Sequence, residues 1–419
     1  LLTTASFGET LKGSVQKTIE KNPAVIAEQY QKDAFKKYVD EKEGDYLPQV
    51  DIDAYLEKSR TKQYPDIGTD TDTEKDGYNA KIRLEQLLYN GGKTPAEIRK
   101  AEYERDAQKF KSNENIETVI LGATRAYAEL VQYLETLTED MIVTNEDNLV
   151  IAKEKEEISG EILETYQVTS KLNFVTEKFL EEQSNEAERM SNLKRYIGED
   201  PLPEFCRPVI NEEILPKNLK DTIELALLNN NKILEEIERV KSNREAIAVA
   251  DSKFLPELTL ELQASIDEDL ELPENGRQND VLGRLNLGWN LYNGGTDSAT
   301  TEKEELFLQE SKKSLEATTE KVVDEIRTVY QSFYKNKERV IALKRYVEAN
   351  SNIVNVYKEE FDAGTRTFVD ILNAETELYQ SEKNLVNREF ALMDDYWTLL
   401  FNLSILGETI LSGPDQTCV

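Results

Sequence analysis

The sequence predicts a mixed α/β membrane protein made of two internal repeats. Each repeat pairs a β-hairpin with a long helical hairpin, and neither closes a sheet alone. Three observations carry that prediction. Leu88-Tyr89-Asn90-Gly91-Gly92 returns as Leu291-Tyr292-Asn293-Gly294-Gly295, alternating strands precede each copy, and a very long helical run follows each. Tyr46-Leu47-Pro48 and Phe254-Leu255-Pro256 stand before the copies; Lys155-Glu156-Glu157 and Lys358-Glu359-Glu360 stand after them. From the leucine of each tag to that lysine is 67 residues in both halves, so two equivalent, elongated units are expected. The first covers 1–208, with a helix, a β-hairpin at 48–89 and a helical hairpin at 94–198. The second covers 209–419, with a helix, a β-hairpin at 256–292, a helical hairpin at 296–407 and a C-terminal segment.

The strands alternate with period two. Val50, Ile52, Ala54 and Leu56 oppose Gln49, Asp51, Asp53 and Glu57, and Tyr78, Ala80, Ile82, Leu84 and Leu88 oppose Asn79, Lys81, Arg83 and Glu85. In the second half Leu258, Leu260, Leu262, Ala264 and Ile266 form one face, as do Val281, Leu285, Leu287, Trp289 and Leu291. Each strand reaches the ~9–11 residues that cross a bilayer when tilted. Tyr78, Tyr89, Trp289 and Tyr292 fall near strand ends, where interfacial aromatics belong. The polar stretches Ser59–Gly77 and Asp267–Asp280 are expected as outer loops. Alternation alone fits a soluble β-sandwich with one wet face equally well. Four strands, however, leave two open edges and little sheet to pack against, so copies from several chains are expected to close a barrel.

Helices of about Leu11–Tyr46 and Leu219–Lys253 are expected to lead into the strands. After the first tag, Thr94-Pro95 marks a helix start, and nothing but Gly122 interrupts the run to about Ile158, roughly 95 Å at 1.5 Å per residue. Ile116, Ile120, Ala123, Tyr127, Leu130, Leu134, Leu137 and Met141 step by fours and threes along it. In the second half Val322, Ile326, Val329, Phe333, Asn336, Val340, Leu343, Val347, Asn350, Val354, Tyr357 and Phe361 keep a 3.5-residue period, the coiled-coil pattern. Asn336 and Asn350 interrupt that seam and are expected to fix its register. Gly160 and Gly364 permit the tight reversals into second helices, which end near Gly198 and Gly407.

Composition bounds the function. A net charge of −31 argues against nucleic acid, whose binding needs clustered Lys and Arg, and leaves solubility, a charged lumen or a basic partner. No run of ~18 apolar residues exists, so no membrane-spanning helix is expected. No basic leader with an apolar run opens the chain, and position 1 is not Cys, which argues against an N-terminal lipid anchor. Cys206 and Cys418 either pair or remain free thiols. With zero histidines and no Cys-x-x-Cys, neither a zinc site nor any cofactor is expected. Nothing resembles a phosphate loop or a nucleophile beside a base, so no enzyme is expected.

The run Phe361-Asp362-Ala363-Gly364-Thr365-Arg366-Thr367-Phe368-Val369-Asp370-Ile371-Leu372-Asn373-Ala374 resembles the TolC-type outer-membrane efflux and secretion duct family, as do both Leu-Tyr-Asn-Gly-Gly junctions. The resemblance extends from about Glu9 to Leu411. It implies a homotrimer whose four strands per chain form one 12-stranded barrel in outer-membrane lipid. A helical coiled-coil barrel would continue that duct into the periplasm. An equatorial belt would come from Asp200–Asn218 and from the stretch after Gly407. The implied partners are a periplasmic adaptor (membrane fusion) protein and an inner-membrane ABC or other transporter.

By the same resemblance, Asp370 matches the carboxylate whose three copies ring a closed periplasmic aperture. Like charges facing a narrow axis repel one another, attract cations and deter anions. Asn373 occupies the place of a frequent second carboxylate. Arg366 matches a residue that bonds neighbouring hairpins, and Phe361 stands where a bonding tyrosine occurs but lacks its hydroxyl. In the first-half turn, Gly160-Glu161-Ile162-Leu163-Glu164-Thr165-Tyr166, the acidic partner expected at Tyr166 is missing, and Glu161 and Glu164 are the substitutes. Gly160, Gly364 and Thr365 are implied adaptor-docking positions at the tips. The expectation is a passive exit duct for tripartite export, with type I protein secretion slightly favoured over small-molecule efflux. A soluble coiled-coil scaffold that binds partners and conducts nothing is the competitor.

Overall fold

The computed structural model describes residues 8–136, 139–160, 162–270 and 276–413. The chain divides into two compact units, and each draws on both repeats. One comprises Gln31–Lys109 and Glu235–Glu316; the other comprises Leu1–Tyr30, Phe110–Leu234 and Ala317–Val419.

The first of these units holds one antiparallel sheet: β1 (Gln49–Gln63), β2 (Thr71–Asn90), β3 (Glu257–Glu268) and β4 (Arg277–Gly288), in that order. Val50 pairs Leu84, Ile52 pairs Ile82, Ala54 pairs Ala80, Leu84 pairs Leu262 and Leu260 pairs Leu285. One face is therefore apolar across all four strands. The opposite face carries cross-strand ion pairs, Asp51–Arg83 at 3.5 Å, Asp53–Lys81 at 3.6 Å and Glu261–Arg284 at 3.6 Å. The apolar face lies open in the chain: Ile52 is 74% exposed and Val281 89%.

The expected outer loops are shorter than 59–77 and 267–280. β1 and β2 run on as a two-stranded ribbon to the pair Gln63–Thr71, which leaves 64–70 as the connection. That ribbon has no apolar face; Lys58–Asp76, Arg60–Asp72 and Lys62–Asp72 ion pairs accompany its ladder. Strand pairing needs backbone partners, not alternation, so a polar ribbon escapes a hydropathy reading. Beside its base, β3 turns across β2: Lys75 Nζ donates to the Leu270 carbonyl, and a Cβ at position 77 would fall on the Glu268 carbonyl oxygen. Gly77→Ala is therefore expected to displace the β3–β4 turn at a cost of about 1–2 kcal/mol. Thermal unfolding of the purified protein against Gly283→Ala, where an added Cβ meets only Leu262 Cδ2 at 3.6 Å, checks this.

The helices differ from expectation at four places. The run expected at Leu11–Tyr46 is α1 (Leu11–Lys21) and α2 (Pro23–Gly44), and the one expected at Leu219–Lys253 is α6 (Leu219–Asn229) and α7 (Asn231–Asp251). The unbroken run expected from 94 to 158 is α3 (Lys93–Leu134) and α4 (Glu139–Ser159). At its interruption the Thr136 hydroxyl donates back to the Gln132 carbonyl at 3.0 Å and Tyr379 donates to the Thr136 carbonyl at 3.2 Å, both competing with helical pairing. Leu137 lies outside the described residues. The remaining helices are α5 (Leu163–Ile197), α8 (Thr296–Asp362, unbroken over 67 residues), α9 (Phe368–Asn402) and α10 (Leu406–Ser412). The hairpin helix expected to reach Gly407 thus stops at Asn402.

Two asparagines make the first two breaks equivalent. Asn22 Nδ2 donates to the Tyr196 carbonyl in the last turn of α5 at 3.0 Å, and its Oδ1 accepts from Ala24 N–H at the start of α2 at 2.9 Å. Asn230 Nδ2 donates to the Asn402 carbonyl at the end of α9 at 2.8 Å, and its Oδ1 accepts from Lys232 N–H at 3.0 Å. Each side chain caps one helix and holds the open end of another.

The core of this second unit gathers Ile120, Tyr127, Leu130, Leu193, Phe333, Phe390, Trp397 and Leu400, which keeps the two expected seams on the inside. Asn336 meets Asp395 at 2.6 Å and Arg388 at 3.0 Å, so the buried amide joins α8 to α9 as a register device would. Gly122 is no passive interruption: a Cβ there would come within 2.6 Å of the Tyr196 hydroxyl. In the segment expected to form a belt, Tyr396 donates to the Asn211 carbonyl at 2.9 Å, and the Tyr127 hydroxyl donates to the Cys206 carbonyl at 2.6 Å. Cys206 is buried, and Cys418 lies outside the described residues.

Candidate functional site

Where α8 gives way to α9, glycine sets the turn. Gly364 sits at φ 74°, its N–H donates to the Phe361 carbonyl at 2.8 Å and Thr365 N–H donates to the Glu360 carbonyl at 2.9 Å. A left-handed residue closing the last carbonyls is the usual helix stop. Gly160, at φ 73°, does the same after α4, with its N–H on the Glu156 carbonyl at 2.8 Å.

α9 then starts with a capping box. The Thr367 side chain accepts from Asp370 N–H, and Asp370 Oδ2 accepts from Thr367 N–H at 3.2 Å and from its hydroxyl at 2.8 Å. Those Thr367 bonds, aided by the Arg366 charge, hold the Asp370 carboxyl below the usual carboxylate range. Asp370 is thus anionic at any neutral pH. Arg366, in the turn, reaches back along α8: Nε donates to Glu360 at 2.7 Å, and the guanidinium lies 4.2 Å from the Tyr357 ring centroid. The bonds described for Arg366 stay within one hairpin.

Asn373 is exposed one turn beyond Asp370. Thr365 Oγ1 donates to the Glu360 carbonyl at 2.9 Å, within the same turn. Phe361 packs on Phe368, with ring centroids 5.4 Å apart, in a cluster with Ala152, Val168, Ile371 and Leu372. That cluster draws on α4, α5, α8 and α9 and brings the two hairpin ends together. Glu164 receives Lys155 Nζ at 2.8 and 2.9 Å. Glu161 lies outside the described residues. The structure therefore gathers Phe361, Glu164, Arg366 and Asp370 around one pair of turns.

The two junction motifs sit in the other unit and differ from each other. Leu88 is bulged from the ladder, Tyr89 and Asn90 pair with Leu258 and Glu257, and the Asn90 side chain meets Thr94 twice, accepting from its N–H at 3.2 Å and donating to Oγ1 at 2.7 Å. In the second copy β4 ends at Gly288, so Trp289, Leu291 and Tyr292 lie past the strand instead of completing it. β2 keeps a partner on both sides, whereas β4 is an edge. Asn293 still reaches Asp297 at 3.3 Å, and Gly91, Gly92, Gly294 and Gly295 all have positive φ.

Three residues escaped sequence reasoning. Asn22 and Asn230 carry a weak signal, the repeated asparagine between two helical runs. Glu117 carries none. Its carboxylate, half-buried on α3, accepts from Gly407 N–H in α10 at 3.2 Å, and desolvation pushes its pKa up to about 7 against that bond. Among the described residues no His, Cys, Asp and Glu group is arranged to hold a metal, and no helix is long and apolar enough to cross a membrane.

The family model for outer membrane efflux proteins matches residues 14–143 and 222–401. Outer membrane protein TolC of Vibrio cholerae serotype O1 is 23% identical over 414 residues, covering 93% of this chain and 89% of that protein. The alkaline protease secretion protein AprF of Pseudomonas aeruginosa is 21% identical over 304 residues, covering 67% of this chain and 62% of that one. Among solved structures, the outer membrane protein VceC of Vibrio cholerae has the same fold, with a TM-score of 0.79 at 16% identity over 94% of this chain and 96% of that one.

Proposed function

The chain belongs to the outer membrane efflux protein family, and from that membership we propose that it is the outer-membrane exit duct of a tripartite export assembly. The observation that carries this reading is the sheet. Four strands present one continuous apolar face, and among the described residues neither edge, β1 nor β4, has a further strand partner. Lipid accepts no open edge, so a closed barrel needs sister chains; three copies supply twelve strands. The ion-paired face then lines the lumen. The long helices α3, α4, α5, α8 and α9 form the periplasmic conduit, and the turns at Gly160 and Gly364 form its inner end, where a periplasmic adaptor docks. An inner-membrane ABC or other transporter supplies the energy.

Type I secretion of polypeptides is the favoured cargo class. Its support is the Thr365-Arg366-Thr367-Phe368-Val369-Asp370 context and the likeness to AprF, which is itself a secretion protein for a protease. At the inner end, three copies of Asp370 would ring the axis as permanent anions and hold polyvalent cations. Native mass in detergent and current across planar bilayers test the duct: a trimer with a small conductance is expected, and a water-soluble monomer without conductance would overturn it and favour a scaffold. Asp370→Asn keeps an oxygen for the Thr367 cap while removing the charge. It is expected to weaken block by polyvalent cations about tenfold; unchanged blocking affinity in single-channel recordings would discard the ring.

A further inference from the structure

Two edges of the sheet lack a neighbour. β1 offers one from Gln49 to Gln63 and β4 one from Arg277 to Gly288, and among the described residues neither meets a further strand. They stand at opposite ends of the strand order, about 14 Å apart across three strand spacings, so they do not pair with each other inside one chain. The polar face is also left uneven. Asp51 and Asp53 of β1 find cations on β2, at 3.5 and 3.6 Å, whereas Glu57 on the same face has no ion pair among the described residues. On β4, Arg284 stays 54% exposed although it lies 3.6 Å from Glu261. One edge thus carries a spare acid and the other an accessible cation.

We infer that β4 of one copy pairs antiparallel with β1 of a second copy in one register, with Arg284 opposite Glu57, Leu285 opposite Leu56 and Leu287 opposite Ala54. This rests on the duct reading and deepens it. Apolar side chains must stay on one face across the seam, so the register can slip only in steps of two. A slip one way sets Arg277 against Lys62; a slip the other way sets Lys58 against Leu285 and leaves Glu57 without its cation. The inferred register opposes no like charges. The repeats lead to the same alignment by a separate route. β2 and β4 precede equivalent tags, and β1 and β3 follow equivalent Leu-Pro pairs. Carried over by those marks, the chain's own Ile82–Ala264 pair becomes Leu285–Leu56, and Lys81–Ser265 becomes Arg284–Glu57. The ladder stops at Gly288, because the Trp289 indole donates to the Phe254 carbonyl of its own chain at 3.0 Å. At its other end it climbs the polar ribbon, Gln278 lying beside Gln63. The ribbon edge of β1 is therefore the landing for a neighbouring β4, and such a stagger between strands is what closing a barrel requires.

Thiol cross-linking of the assembled protein, read beside native mass, tests the register. Asn286→Cys/Tyr55→Cys sets two thiols directly opposite across the seam, on the polar face. Oxidation is expected to give linked species of two and three chains on denaturing gels, reversed by reductant. They should form at least about tenfold faster than with Asn286→Cys/Asp53→Cys or Asn286→Cys/Glu57→Cys, whose thiols are diagonal neighbours. Faster linking in either diagonal pair overturns the register and leaves the duct standing. So does a native trimer in which no pair links. Glu57→Lys, which meets Arg284, should lower the yield of trimer at least about threefold, whereas Thr61→Lys, which faces Asp280, should not. Equal yields from those two variants overturn the register even if the cysteine variants fail to assemble. A parent that stays monomeric in detergent sinks the duct reading instead.

Discussion

Gly91→Ala is expected to abolish correct assembly, while the same change at Gly294 leaves an assembled and only mildly weakened protein. The two glycines occupy the same place in identical pentapeptides, with φ of 68° and 60°. A left-handed alanine costs about 1–2 kcal/mol at either site. Only Gly91 faces a second obstacle: its added Cβ would lie 2.6 Å from the Ser252 carbonyl oxygen and 2.8 Å from Leu255 Cβ, whereas Gly294 has nothing within 4 Å. The neighbours at position 91 are backbone and a Cβ, which cannot swing aside as the end of a long side chain would. Moving them shifts the turn that feeds β3, beside which β2 is laddered as far as Asn90. The sum is about 3–5 kcal/mol at Gly91, a large share of a domain's stability. Thermal unfolding in detergent and the yield of assembled protein distinguish the two variants. Equal losses would show that positive φ alone governs the junctions.

That contrast marks the limit of what the chain discloses unaided. The repeat, the four strands and their faces are legible because period-two alternation survives wherever one face is apolar and the other ion-paired. The polar ribbon above Leu56 and Tyr78 shows no such alternation and is missed. Pro23 is a local signal for the start of α2, which the single helix expected over Leu11–Tyr46 passed over. Asn230 does not announce α7, because its partner, the Asn402 carbonyl, lies 172 residues away. The turns at Gly160 and Gly364 are half legible. Gly364 and the Thr367-to-Asp370 spacing are local signals, and the structure builds a glycine stop and a capping box from them. Arg366 returns to Glu360 and Tyr357, six and nine residues back on α8, so its partners too are local. Lys155 of α4 lies 5.4 Å from the Phe361 ring on α8, which is set by which helices come together and which no local pattern encodes.

Glu117 supplies the second large effect, a pH dependence with a definite sign. The carboxylate sits on α3 against the start of α10. Desolvation is the main cause of its raised pKa; the Gly407 and Leu406 N–H groups oppose it, and the charges of Glu114 and Glu408 reinforce it. Lys232 lies 3.2 Å from Glu114 and offsets part of that repulsion, while Lys12 holds the far end of α10 through the Gly413 carbonyl at 3.1 Å. A folded pKa of about 7 against an ordinary 4.5 means the folded protein binds this proton more tightly than the unfolded chain. The stabilisation is therefore complete below about pH 4.5 and is lost as pH rises through about 7. Between pH 5 and pH 8 the loss comes to roughly 2–3 kcal/mol. Other carboxylates titrate across the same window, so the difference between parent and Glu117→Gln isolates the effect. The amide stays neutral throughout and still accepts from Gly407. Hydrogen exchange of the α10 amides should show the variant gaining protection over the parent as pH is raised, with the gap nearly closed at pH 5. A gap that does not change with pH would mean that water reaches the Glu117 carboxylate and keeps its pKa ordinary. The docking of α10 would then owe nothing to that proton.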